Sequence, residues 1–505
     1  MSIRVRIAPS PTWNMHIWTA RAALFNYLFV KPQNGKFLIR IEDTDKERSK
    51  PEYTKEILAG LNWLWLNPDE EVVYQSSNEK KHKQAIQKLL NKWKAYYAWE
   101  TQDELEQMRK KAFKQKKWFI YRKPSYTSEQ IEKFKAEWRK PVVRFAVPEN
   151  QEIIFNDLVK WEVKFNTSQI WDFVIAKSNW DPIFYLANTV DDYLMWITHI
   201  IRWEDHIPNT PKQILLYKAL EYELPVFGHL PLLLNPNKSK MSKRDSSDIF
   251  VTVKRFFQEW FVAEWLINFI ALLGWHTTDD REFFTFKELM KEFSIDRVQS
   301  SNAVYDFQRA IHFNAEHIKY FDAERFVKEV KNYVNSMLED KILGVPHLDS
   351  SENSNLILSL KWWKKLIDEG KFDNLNYVKK WLPEVQIRLQ TLKQFVLYSK
   401  YLYEYQEVSD EILYNKKMKV TPEVIKEHLP KIIEKLEQIE NWNIENLKQF
   451  LINYNKENWL KNGQILWPIR AILSGVEASP GAFELMEILW KEETLKRLKK
   501  IFKID

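Results

Sequence analysis

Apolar and polar residues alternate at the start of the chain: Ile3, Val5 and Ile7 are separated by Arg4 and Arg6, the period of a half-buried strand. Ala8-Pro9-Ser10-Pro11-Thr12 cannot continue that strand, and from Asn14 to Leu28 apolar residues recur at helical spacing. Lys36 to Ile41 predicts a second strand, which ends in Glu42-Asp43-Thr44-Asp45. The opening therefore predicts a β-α-β unit of a parallel sheet, a fold in which ligands bind at the carboxyl ends of the strands.

Between about residues 70 and 185 the pattern changes. A charged helix over Gln102 to Lys117 is followed by the strand-like runs Val142 to Phe145 and Glu152 to Phe155, which read as an insertion between two halves of the sheet. Apolar runs return at Tyr185 to Arg202 and Gln213 to Leu234 and supply the second half. Beyond residue 250 helical periodicity dominates. Thr421-Pro422-Glu423-Val424, for example, has an N-cap residue, proline at the first helical position and an acidic first turn.

A chain of 505 residues is too long for one core, and about 150 residues per domain implies three or more folding units. No segment approaches the ~18 uncharged apolar residues of a membrane span, and Met1 to Arg6 lacks the apolar core of a signal peptide. A soluble, cytoplasmic protein is expected. The absence of cysteine excludes disulfides and Cys-ligated zinc. The net charge of +7, from 76 basic and 69 acidic residues, suits a polyanionic partner without requiring one. Glycine is the anomaly: average usage of about 7% would give roughly 35, yet there are 9, beside 23 Trp.

Two clusters carry candidate chemistry. Arg6-Ile7-Ala8-Pro9-Ser10-Pro11-Thr12 leads to His16-Ile17-Trp18-Thr19 at a helix start. Backbone N–H groups and the positive helix end there attract phosphate, and a histidine can donate to charge developing on a leaving pyrophosphate. Further on, Lys238-Ser239-Lys240-Met241-Ser242-Lys243-Arg244 sets four cations within seven residues, enough to neutralise a triphosphate. Taken alone, the first cluster also reads as a proline loop before an amphipathic helix with an incidental histidine, and the second as a solvated basic turn. No set of metal ligands stands out.

Together, His-Ile-x-x after the first strand and Lys-Met-Ser-Lys-Arg some 220 residues later resemble the two signatures of class I aminoacyl-tRNA synthetases. Ile41 to Asp45, Val190 to Met195, Arg202 to His206 and Asn209 to Gln213 look like the bacterial glutamyl-tRNA synthetases in order and spacing. That resemblance implies an α/β Rossmann-type catalytic domain with an inserted α+β connective domain, then all-α stem-contact and anticodon-binding domains. The implied ranges are 1–70, 71–185 for the connective domain, 186–250, 251–320 for the stem-contact helices and 321–505 for the anticodon domain. It also implies Arg6, Ala8, Ser10, Glu42, Phe184 and Arg202 around glutamate, with Glu42 on the ammonium and Arg202 on a carboxylate. Thr12, His16, Trp18, Lys240, Met241, Ser242, Lys243 and Arg244 would meet ATP and its Mg²⁺, with His16, Lys240 and Lys243 serving the chemistry. A substrate with two carboxylates and one ammonium needs two guanidinium groups and one acid, as this set provides. His199 and His206 read as structural. The implied partners are L-glutamate, ATP and the tRNA for glutamate, or also the tRNA for glutamine, bound by a monomer. Trp381 and Tyr414, among the lysines of the helical end, could stack on anticodon bases or belong to the core.

The family pattern has glycine where this chain has Trp13, Trp18 and Trp203, and also at Trp65, Trp260, Trp265 and Trp490. Tryptophan thus stands at glycine positions, in keeping with the composition. An indole at residue 18 would add bulk where the family lays the nucleotide, so a tRNA-binding protein without catalysis is the alternative reading. Phe184 replaces a usual Tyr, and the family's zinc knuckle has no cysteines here.

Overall fold

The computed structural model describes residues 2–116, 118–239, 251–279, 281–339, 343 and 351–502, with side chains omitted for 351–353. The chain forms two compact units. One comprises Met1–Arg255 with Ala263–Phe307, the other Phe256–Val262 with Gln308–Asp505.

The first unit is built on a parallel sheet. β1 (Arg4–Ile7) is followed by α1 (Ile17–Val30), β2 (Lys36–Ile41), α2 (Pro51–Trp63), β3 (Val73–Tyr74) and α3 (Glu79–Asn91). β1 pairs in parallel with β2, and β2 with β3. All of β2 beyond Lys36 is buried, as expected for a parallel strand covered on both faces. α1 is buried nearly all round, so its interior polar groups need partners. Asn26 Nδ2 donates to the carbonyls of Ala22 and Ile201, and Arg21 Nη1 donates to the carbonyl of Pro231.

The middle of this unit holds β4 (Ala95–Ala98), α4 (Gln102–Lys114), α5 (Ser128–Ala136), β5 (Val142–Phe145), β6 (Glu152–Asp157), β7 (Trp161–Asn166) and β8 (Val174–Ala176). β4, β5 and β8 make an antiparallel sheet. β6 and β7 form a hairpin, and β6 joins the later part of the unit. That part consists of α6 (Phe184–Leu194), β9 (His199–Trp203), α7 (Thr210–Leu220) and β10 (Val226–Leu230). β10 lies between β9 and β6, parallel to both. β9 is tied to β1 at their amino ends, where Thr198 N donates to the Arg4 carbonyl and Arg4 N to Thr198 Oγ1. The stretch 71–185 is therefore interwoven with the main sheets: β3 extends the β1–β2 sheet, and β6 covers the edge of β10.

In the second unit helices dominate, among them Ala323–Glu339, Ser351–Asp368, Leu375–Gln386, Pro422–Glu437, Ile444–Glu457, Asn462–Ser474 and Ala482–Lys500. The Thr421 hydroxyl caps Pro422–Glu437 by accepting from Val424 N. Trp381 is fully buried and stacked on Phe395 with ring centroids 5.4 Å apart. It is a core residue, which removes it as a base-stacking candidate; Tyr414 is half-buried.

Nine of the fifteen non-glycine residues with positive φ among the described residues are tryptophan: Trp65, Trp93, Trp138, Trp161, Trp180, Trp196, Trp260, Trp459 and Trp490. That conformation brings Cβ against the following carbonyl and favours glycine. Trp490, at φ 63° and ψ 168°, lies in a region that essentially only glycine occupies. Trp265, by contrast, sits inside a regular helix, and Trp13, Trp18 and Trp203 are not in the left-handed set.

Candidate active site

The loop after β1 is held against the end of β2 by backbone hydrogen bonds from Glu42 N to the Pro9 carbonyl and from Lys50 N to that of Pro11. This places Ser10 beside Glu42. With Phe184 from the start of α6 they line a cleft of about 360 Å³, which Thr44, Gln75 and Pro182 also border. His16 is the N-cap of α1: its Nδ1 accepts from Trp18 N, and its ring stacks on the Trp18 indole with centroids 3.9 Å apart. The indole thus covers the histidine at the helix end. Thr12 is half-buried nearby in sequence, and Ala8 lies half-buried after β1.

Beneath the cleft is a buried ion network, two members of which, Arg40 and Asp192, are absent from the sequence-predicted site. Asp192, on α6, accepts from Arg6 Nε at 2.9 Å and Nη2 at 3.2 Å, and also from Arg40 Nη1. Arg40 Nη2 donates to Glu42 Oε1 at 3.2 Å and to Asn188 Oδ1 at 2.8 Å. Burial works to raise the Asp192 carboxyl, but Arg40 and Arg6 outweigh it and hold the group below its ordinary value. Glu42 has the opposite balance: burial raises its carboxyl despite Arg40 and Arg6. Arg40 could have been suspected as a charge inside the apolar run Leu38-Ile39-Arg40-Ile41; Asp192 could have been suspected from its place on a buried helix face.

Arg202, near the carboxyl end of β9, is only 7% exposed. Its Nε donates to His229 Nε2 at 3.3 Å and its Nη2 to Thr210 Oγ1 at 2.9 Å, while Nη1 has no hydrogen-bond partner among the described residues. No carboxylate pairs with it there. Burial, reinforced by the Arg6 guanidinium, lowers Arg202 to about 9. A guanidinium buried in this way calls for an anion, whereas the buried Glu42 already has the Arg40 guanidinium beside it. Phe184 stacks on His206 at 5.4 Å, and burial followed by Arg202 lowers His206 to about 4, so that imidazole is neutral at neutral pH. His199 is likewise depressed by burial. Lys240, Met241, Ser242, Lys243 and Arg244 lie outside the described residues.

The cleft lies where the parallel strands β1, β2 and β3 end, the place at which α/β domains bind ligands, with Glu42 in its lining and the buried Arg6 and Arg202 outside that lining. Residues 2–310 match the family described as tRNA synthetases class I (E and Q), catalytic domain, and residues 353–502 match an anticodon binding domain. The chain is 36% identical over 504 residues to glutamate–tRNA ligase 2 of Thermoanaerobacter pseudethanolicus, covering 99% of this chain and 97% of that one. It is 35% identical over 516 residues to the glutamate–tRNA ligase of Bacillus subtilis, covering 99% of each. A crystal structure of a glutamate tRNA ligase from Elizabethkingia meningosepticum, in complex with its amino acid, superposes with a TM-score of 0.79 at 27% identity, covering 100% of this chain and 99% of that one. The chain belongs to the glutamate–tRNA ligase family of class I aminoacyl-tRNA synthetases. No helix among the described residues is long and apolar enough to cross a membrane.

Proposed function

We propose that this protein activates L-glutamate with ATP to glutamyl adenylate and transfers the glutamyl group to the terminal ribose of the tRNA for glutamate, and of the tRNA for glutamine where the anticodon domain admits it. It does so in the cytoplasm as a monomer. The observation that carries this reading is Arg202, a buried guanidinium with an open Nη1 and no carboxylate partner among the described residues.

In this reading Arg202 takes one glutamate carboxylate and Glu42 the ammonium. Arg6, held flat by Asp192, faces the other carboxylate; Ala8, Ser10 and Phe184 shape the walls. Arg202 and Arg6 can each bind a carboxylate bidentately. ATP arrives with Mg²⁺ as one substrate, beside Thr12 and the α1 end, where helix N–H groups favour phosphate. His16 would donate to the triphosphate, and the segment from Lys240 to Arg244 would spread the charge of the departing pyrophosphate. None of the relatives described above favours a non-catalytic protein.

The test is Arg202→Ala in steady-state aminoacylation at saturating ATP and tRNA. Losing a charge-assisted pair of about 1.5–3 kcal/mol should raise the glutamate KM at least roughly tenfold and leave the ATP KM in place. An unchanged glutamate KM removes Arg202 from the pocket.

A further inference from the structure

Behind Arg202 lies a hydrogen-bonded chain with no catalytic group of its own. Asp157 Oδ1 accepts from the backbone N–H groups of Val159 at 3.0 Å, Lys160 at 2.9 Å and His229 at 3.0 Å, and Asp157 Oδ2 lies 2.5 Å from His229 Nδ1. So bonded, the carboxylate can only accept, which puts the imidazole proton on Nδ1 and a lone pair on Nε2. That lone pair faces Arg202 Nε at 3.3 Å and the Thr210 hydroxyl at 3.1 Å. Asp157 and His229 are both buried, and one comes from β6, the strand that attaches the middle of the chain to β10.

We propose that Asp157 and His229 are positioning residues for glutamate, fixing through one histidine tautomer the orientation in which Arg202 meets the substrate carboxylate. This rests on the assignment of Arg202 to the glutamate pocket. The charged and titratable groups acting on His229 are Asp157, Arg202, Lys160 and His206. Burial holds the imidazole below its ordinary value, against the hydrogen bond to Asp157 and in concert with Arg202. Protonation would place an N–H against the Arg202 N–H and add a like charge. Glutamate use therefore weakens as the pH falls through that lowered value; above it the relay adds no pH dependence.

Asp157→Asn keeps the shape but turns a donor toward Nδ1, forcing the proton to Nε2. The glutamate KM should rise about tenfold, with kcat and the ATP KM near the parent values. His229→Gln, which offers a non-titrating acceptor near the same place, should keep a low glutamate KM and lose the part of its acid rise that follows His229, leaving the part that follows Glu42. An unchanged KM in Asp157→Asn, or an equal rise in the ATP KM, overturns the proposal. If Asp157→Asn does not fold, the acid limb decides: the same limb in the parent and in His229→Gln overturns it. Should Arg202→Ala also leave the glutamate KM unchanged, the pocket assignment itself has failed; if only the Asp157 and His229 variants are silent, the relay alone has failed.

A second inference rests on backbone geometry. Trp65, Trp93, Trp138, Trp196, Trp260 and Trp459 all follow helices and share one hydrogen-bond pattern. In the helix ending at Asn91, Trp93 N donates to the Leu90 carbonyl and Lys94 N to that of Leu89; at the helix ending at Glu457, Trp459 N donates to Lys456 and Leu460 N to Asn455. This is the Schellman termination, whose left-handed residue is usually glycine. The indoles there mostly project into solvent, Trp459 being 95% exposed. Another set of tryptophans behaves differently: Trp363, Trp442 and Trp467 lie outside the left-handed set, and each donates its indole N–H to a carbonyl. We infer that the two sets correspond to two codons, and that the codon of the left-handed set is decoded as glycine in the cell that makes this protein.

Peptide mass spectrometry of the protein purified from its own host tests this. Peptides spanning residues 93, 138, 196 and 459 should each be lighter by the difference between a tryptophan and a glycine residue, and those spanning 363, 442 and 467 should not. The gene should carry one codon at the nine left-handed positions and another at those three. Tryptophan in the helix-ending peptides, or a single codon throughout, overturns the inference.

Discussion

At the scale of single residues the chain places side chains where the backbone cannot easily carry them. Trp93 holds φ 55° at the end of α3 with its ring 82% exposed, so the indole contributes no packing to offset a strained backbone. A left-handed L-residue costs roughly 1–2 kcal/mol, and glycine gives back part of that through the freer unfolded chain. In a chain carrying tryptophan there, Trp93→Gly should stabilise by roughly 0.5–1 kcal/mol, read as a higher urea midpoint at constant slope. A lower midpoint would mean that the indole packs on something that matters. The family resemblance, with residue chemistry in agreement, is what made Arg202 and Glu42 candidates in the sequence. A guanidinium and a carboxylate beside recognisable motifs suggest an amphoteric substrate, whereas His229, in the unremarkable run Val226-Phe227-Gly228-His229-Leu230, gives no such sign.

At the scale of elements, α6 is the part on which the pocket depends. Its Asp192 neutralises two buried guanidinium groups from two strands, Arg6 of β1 and Arg40 of β2. Removing one member of such a set leaves buried charge without compensation, which costs about 3–5 kcal/mol. Asp192→Asn should therefore lower the urea midpoint substantially and also raise the glutamate KM, because Arg6 loses its anchor. A stable variant with normal KM would show that the network is dispensable. The pH sign follows from the lowered Asp192 carboxyl. Its stabilisation is present above the unfolded carboxyl value near 3.9 and is lost as pH falls through the lower folded value. The same scale shows where periodicity falls short. The strand-like run Glu152 to Phe155 located β6, but strand pairing is non-local, and nothing in Glu152 to Asp157 says that the strand continues the sheet at β10.

For the whole molecule, the helical unit carries the proposed tRNA-binding surface. Lys416, Lys417 and Lys419 are exposed together between helices, whereas Arg497, within the basic end of the last helix, is buried and donates to the carbonyls of Tyr401 and Leu473. Charge runs thus divide into surface and interior by packing. Replacing Lys416, Lys417 and Lys419 with alanine should weaken tRNA binding and reduce the salt slope by about one for each phosphate no longer neutralised. Filter binding across a salt series would measure it, and an unchanged slope would place the RNA elsewhere. Phe256–Val262 belongs with the helical unit, where Val262 N donates to Asn314 Oδ1 and the Tyr333 hydroxyl to the Gln258 carbonyl.

Local information determined much of this protein. The β-α-β opening, the capped helix at Thr421, the two charged clusters and the shortage of glycine follow from spacing and composition, because strand period, helix caps and local charge are properties of neighbouring residues; which tryptophans stand at family glycine positions came from the resemblance. Only the tertiary structure decided that Asp192 holds Arg6 and Arg40, that Asp157 reaches Arg202 through His229, and that Trp381 is core. Asp157 and His229 are separated by 72 positions, and Arg6 and Asp192 by 186. Burial gives those interactions their strength, and burial is a property of the folded chain rather than of any stretch of it.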